Sequence, residues 1–233
     1  ATVMVTQRCV TVTAPSVTRL VGETNPTDGE LTDGCTMDGK IDDGFALVYS
    51  ATCTYTGDEL GTHEGVITVT GEVNQGNYLV SYVPGDLKID KVPLRIRVAD
   101  ASVAYGEDVP TDLGFKPEAE RYEPANPDVA KITGLGDVTF GTTPTYVRGS
   151  PVGTYAISTN SAALSSAYYD ITVVPGTLTV TQRCVTVTAP SKTRKVGEAN
   201  PSDDVLKAEC TVSGNLDDGF ALVYSATCTY LGD

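Results

Sequence analysis

Tryptophan is absent from this chain, phenylalanine occurs four times in 233 residues and histidine once. Few large aromatics beside abundant Thr, Val and Gly argue for strands and turns rather than packed helices. A single histidine, His63, and no Cys-x-x-Cys spacing leave no donor set for tetrahedral zinc. The same shortage removes hydrolase triads, because no Ser or Cys stands in a recognisable nucleophile turn. A glycine-rich phosphate loop is also missing. Basic residues number 16 against 30 acidic, for a formal charge of −14. That balance argues against nucleic-acid binding, whose affinity comes from Lys and Arg neutralising phosphates. No apolar run approaches a membrane span in length, so no membrane contact is expected of this segment. The expectation is a non-enzymatic protein without cofactors, whose negative charge keeps copies dispersed.

What the chain has in quantity is repetition. Residues 6–58 return at 181–233 without a gap, Cys9 falling on Cys184 at an offset of 175, and 39 of the 53 positions are identical. A fainter repeat lies inside this one. Val10-x-Val12-x-Ala14 with Val21-Gly22-Glu23 aligns with Leu94-x-Ile96-x-Val98 and Tyr105-Gly106-Glu107, a shift of 84. Pro84-Gly85-Asp86-Leu87-x-Ile89 aligns with Pro175-Gly176-Thr177-Leu178-x-Val180, a shift of 91, and the two shifts make up the long period. Two related domain types therefore alternate, one with cysteines and one without. Residues 1–6 match 176–181, the last strand of a preceding domain. Residues 7–90 are expected to form a cysteine-bearing domain, 91–181 a cysteine-free one, and 182–233 the first part of a third. No Ser/Gly or Pro-rich linker separates them, so each domain is expected to run directly into its neighbour, which is its first partner. Arrays of this kind give length or many copies of one contact.

Within a domain the apolar pattern has period two, as in Val10, Val12 and Ala14, which predicts strands. Further strands are expected at 31–37, 47–56 and 65–71. Pro84-Gly85 reads as a turn between two strands, and Asp42-Asp43-Gly44 as the cap of one helical turn. The expected fold class is mainly β: tandem, elongated β-rich domains, either β-sandwich or β-grasp-like, with at most one short helical turn each.

The order of motifs resembles a known family. A first strand leads into Tyr-Gly-x-x-x-Pro (Tyr105-Gly106 to Pro110; Val21-Gly22 to Pro26). Val152-Gly153-Thr154-Tyr155 follows, and a Tyr168-Tyr169 pair precedes a closing Gly-x-Leu-x-Val strand. This arrangement resembles the MBG domains, Tyr-Gly type, of bacterial surface proteins and adhesins. The 7–90 domain departs from it, with Val21 at the motif tyrosine and His63-Glu64 where Tyr155 stands. The resemblance implies tandem copies at the bacterial cell surface, outside the cell, between an anchor and a distal binding region. It also implies host glycan or mucin as a partner.

Candidate sites are few. The six cysteines fall in two sets of three, so one thiol in each set has no partner within it. Cys35 with Cys53, and Cys210 with Cys228, are the expected disulfides; each would close a loop worth roughly 3 kcal/mol in chain entropy. Cys9 and Cys184 are expected to be free or interdomain thiols. Asp38, Asp42 and Asp43 are the sharpest cation candidate. Asp38 becomes Ser213 in the copy, however, and no Glu follows at EF-hand spacing, so turn capping and no metal are expected. Tyr122 and Tyr146, near the loop that distinguishes the two domain types, are the candidates for stacking on a sugar. Near-identical copies can also exchange strands, which makes other copies of the chain a candidate partner.

Overall fold

The computed structural model describes residues 2–214 and 221–230. The protein is mainly β, with helices of six residues or fewer among the described residues. Packing divides it into two compact units: Ala1–Leu94 with Asp128–Thr133 and Ser165–Ile171, and Arg95–Pro127 with Gly134–Leu164 and Thr172–Asp233. Repeat and compact unit are thus different divisions of the chain. Asp217 and Asp218, the sequence counterparts of Asp42 and Asp43, lie outside the described residues, as do the other residues of 215–220 and 231–233.

The first repeat comprises β1 (Arg8–Thr13), β2 (Val17–Leu20), α1 (Asp28–Asp33), β3 (Thr36–Asp38), β4 (Tyr49–Cys53), β5 (Gly61–Gly71), β6 (Asn74–Gln75), β7 (Tyr78–Val83) and β8 (Gly85–Asp90). Two sheets result, ordered β3-β1-β7-β6 and β2-β8-β5-β4. β1 pairs with β7 in parallel, Arg8 opposite Tyr78, and β2 pairs with β8 in the same register, Val17 opposite Leu87. One long parallel pair therefore passes from the first sheet to the second. Pro15 and Pro84 mark the crossing, where a residue lacking an N–H costs the ladder least. Pro84-Gly85 does not reverse the chain, contrary to a hairpin reading. Gly85 is required there because a β-carbon would strike the carbonyl oxygen of Pro15.

The core lies between the sheets. Val10, Val12, Ala51, Ile67, Tyr78 and Val80 meet there, closed on one side by Leu31 of α1. That helix stands where a strand beginning at residue 31 was expected. Its start is a capping box: the Glu30 amide donates to Thr27 Oγ1, and Glu30 Oε2 accepts from the Thr27 amide at 2.8 Å. Two free amides of the first turn are thereby satisfied locally, which outweighs the β preference of the residues that follow. No helical turn forms at Asp42-Asp43; those residues make a bend.

The second repeat has the same plan in β9 (Val92–Arg97), β10 (Ala101–Ala104), α2 (Glu118–Arg121), β11 (Tyr122–Glu123), β12 (Phe140–Thr143), β13 (Gly153–Thr159), β14 (Tyr169–Val174) and β15 (Gly176–Thr181). β10 pairs in parallel with β15, which pairs antiparallel with β13, and β13 with β12. β9 lies between β11 and β14. Gly176 repeats the role of Gly85, its missing side chain leaving room for the carbonyl of Ala99. In the third repeat β16 (Thr186–Thr188) and β17 (Thr211–Ser213) pair antiparallel, and α3 (Asp203–Ala208) follows the Ser202 cap. Each begins and ends at or within the bounds of β1, β3 and α1 displaced by 175 residues.

Candidate functional site

The tyrosines singled out for sugar stacking are buried. Tyr122 is 7% exposed and Tyr146 4% exposed. Tyr122 is paired with Ile96 in the β11–β9 ladder, and the Arg121 guanidinium lies 5.6 Å from its ring centroid. Tyr146 packs edge to face on Tyr155, and its hydroxyl donates to the Glu107 carbonyl at 2.7 Å. Neither ring presents a free face, which corrects the sequence-based assignment. A loop tyrosine reads as exposed from sequence, but a phenol that finds a carbonyl partner can enter the core at little cost.

The expected disulfides are not formed: all six cysteines are free. Cys35 and Cys53 pack against the same core cluster, but each thiol faces a local carbonyl, Leu31 O at 3.4 Å and Tyr55 O at 3.7 Å. Cys210 repeats the arrangement with Leu206 O at 3.3 Å, and Cys228 is exposed. Burial pushes the Cys35 thiol above its ordinary pKa, so it stays protonated and a poor nucleophile at neutral pH. Cys9 and Cys184 are exposed thiols.

The three aspartates are not gathered around a common point. Asp38 ends β3, Asp42 is an exposed bend residue, and Asp43 is committed to its neighbours. Asp43 Oδ2 accepts from the Tyr78 hydroxyl at 2.7 Å and Oδ1 from the Phe45 amide at 3.1 Å. The Tyr78 hydrogen bond is the main reason its carboxyl titrates below the usual aspartate range. Among the described residues no three acidic, His or Cys side chains form a metal-sized group. His63 stacks on Tyr55 with centroids 3.8 Å apart and contacts the Glu59 carbonyl, as a strand-end residue.

Two features escape the sequence reading. The first is a lock inside the first compact unit. Tyr168 packs with Val21, Leu87 and Ile89, and its hydroxyl occupies the space a side chain at Gly22 would need. Lys131 Nζ stands 3.8 Å from the Tyr168 ring centroid, and Lys91 Nζ donates to Ser166 O at 2.6 Å. Beside it, the 7%-exposed Arg19 donates to Asn25, Gly57 and Asp58. That guanidinium is the leading cause of a lowered Asp58 pKa. The second feature is a groove of about 500 Å³ in the third repeat, lined by Val187, Ala189, Leu206, Cys210, Tyr224 and Ala226. These are the counterparts of residues that pack in the core of the first repeat. Val12 is fully buried and its counterpart Val187 is 39% exposed, while Leu206 is buried like Leu31. The 175-residue offset was the signal that could have located this groove.

Neither a curated protein nor a solved structure matches the chain. The family model described as MBG domain (YGX type) matches residues 94–179, the stretch that carries Tyr105-Gly106 and Val152 to Tyr155.

Proposed function

We propose that this chain is a structural segment of a bacterial cell-surface adhesin, a stalk that carries a distal binding region away from its anchor. MBG domains occur in extracellular surface proteins. One observation carries the reading: a strand plan with first and last strands paired in parallel occurs in the first and second repeats at the spacings of the sequence repeat, and the antiparallel β1–β3 pair recurs as β16–β17 in the third. Such repetition multiplies a scaffold rather than a pocket. In the first repeat the Gln75 side chain, which could otherwise read a ligand, is spent on the fold. Gln75, at the rim of a shallow depression beside Phe45 and Val48, gives its carbonyl to the Val48 amide and its amide to the Val48 and Glu72 carbonyls. The role in this reading is mechanical rather than catalytic.

The test is to display the 175-residue unit on a cell in one, two and four copies below a terminal epitope tag. The height of the tag above the surface, measured by super-resolution or immunogold microscopy, is expected to rise with copy number. A height that does not change overturns the stalk reading. Glycan-array binding by the multimerised unit would replace it with a ligand-binding one.

A further inference from the structure

The first and second repeats meet at a joint that lies wholly inside the first compact unit, and its two sides are unlike. The first repeat presents an apolar end, with Val21, Leu87 and Ile89 buried there beside Gly22. The second repeat answers with Val92 and Tyr168, both packed on that cluster, and the Tyr168 hydroxyl takes the space over Gly22. A single tyrosine ring fills the joint, and the second repeat supplies it.

The repeat shows what each domain type brings to these places. Asn77 of the cysteine-bearing type is the counterpart of Tyr168. The Arg8 amide donates to the Asn77 carbonyl at 2.8 Å, as the Val92 amide donates to that of Tyr168 at 3.0 Å. On the other side of the joint Tyr105 is the counterpart of Val21, followed by the same left-handed glycine, Gly106 at φ 82° and Gly22 at φ 86°. Tyr105 packs on Leu178 and Val180, the equivalents of Leu87 and Ile89. The cysteine-free type thus carries a ring at both ends, and the cysteine-bearing type at neither. Charge follows the same division. The position of Val92 is Arg183 in the third repeat, and Arg183 pairs with Glu107 of the second. Glu23, the counterpart of Glu107, turns back to accept from the Leu20 amide at 2.7 Å.

We propose that the ends of the repeats form a pairing rule, in which each end fits a neighbour of the other domain type and rejects one of its own. Two cysteine-free domains in succession would bring Tyr105 and Tyr168 to a site with room for one ring, and overpacking is destabilising. The same pair would set Val92 opposite Glu107, with no arginine to meet the carboxylate. Two cysteine-bearing domains in succession would set Val21 against Asn77 and leave the space over Gly22 unfilled, which loses the packing of a buried aromatic. Only the mixed order places one ring in every joint. Specificity then resides in what the wrong neighbour crowds or lacks. The rule concerns the order of domains and holds whether the array projects a distal region or binds a ligand.

Amide exchange of the intact chain tests the rule at Gly22, whose N–H donates to Asp58 Oδ1 at 3.3 Å beside the Tyr168 hydroxyl. Tyr168→Asn removes the ring, and Val21→Tyr adds a second one. Each is expected to speed exchange at Gly22 at least about tenfold by opening the joint. The double variant again holds one ring, now from the first repeat, and is expected to return to within about threefold of the parent. A double variant that exchanges no more slowly than its faster single overturns the rule, as does exchange at Gly22 unchanged in both singles. Should Val21→Tyr alone prevent folding, the decision passes to Glu107→Arg and Arg183→Glu. These are read at the Tyr105 amide, which donates to the Thr181 carbonyl at 2.8 Å. At low salt each single reversal is expected to speed exchange there, and the double reversal to restore it. A double reversal no slower than its faster single overturns the rule on this second ground.

Discussion

At the scale of single residues the protein is held by short polar locks. The Thr27–Glu30 capping box is the reason a helix and not a strand precedes β3. Thr27→Ala removes one half of it and is expected to lower the stability of the first unit by about 1 kcal/mol, read from denaturant unfolding. The carboxyls of Asp43 and Asp58 are held below their ordinary values, chiefly by the Tyr78 hydroxyl and the Arg19 guanidinium. A depressed folded-state pKa means that the unfolded chain binds more protons as pH falls. The contribution of these groups is therefore complete above the ordinary aspartate range and is lost as pH drops through their lowered values. Stability measured by urea titration is expected to fall on acidification below that range, and less steeply in Asp58→Asn. Thiol reactivity separates the cysteines on the same physical grounds. Cys9, Cys184 and Cys228 are exposed and are expected to label quickly, whereas Cys35 labels slowly, at a rate still rising with pH beyond the ordinary thiol range.

At the scale of elements the decisive feature is a strand that changes sheets. Gly85 and Gly176 sit at equivalent crossings and each faces a carbonyl oxygen that a β-carbon would overlap. Gly85→Ala and Gly176→Ala are each expected to cost about 1–3 kcal/mol, the first in the first unit and the second in the second, resolved by amide exchange along β8 and β15. The strands themselves were legible in the alternation of Val10, Val12 and Ala14 and of Leu87 and Ile89, because burying one face of a sheet imposes period two. The direction of pairing was not. A Pro-Gly pair reads as a reversal, and only the partner strand decides whether the chain turns back or passes on into a second sheet. The helix was missed although its Thr-x-x-Glu signal is present, since the residues after it have strand-like composition.

At the scale of the whole molecule the compact units do not coincide with the repeats. Asp128–Thr133 and Ser165–Ile171 pack in one unit with residues 1–94, and Tyr168 is the anchor of the second segment. Tyr168→Ala is expected to destabilise that unit by about 2 kcal/mol or more and to speed amide exchange in β2 and β8, as loss of a packed aromatic does. Sequence alone determined the repetition, its two periods, the mainly β character and the likeness to the MBG family. These follow from identity at fixed offsets and from side-chain alternation, both properties of the chain read in order. The tertiary structure alone decided which tyrosines are buried, which carboxylates are engaged and that the thiols are separate. Those outcomes depend on partners tens of residues away, and no local pattern names the partner.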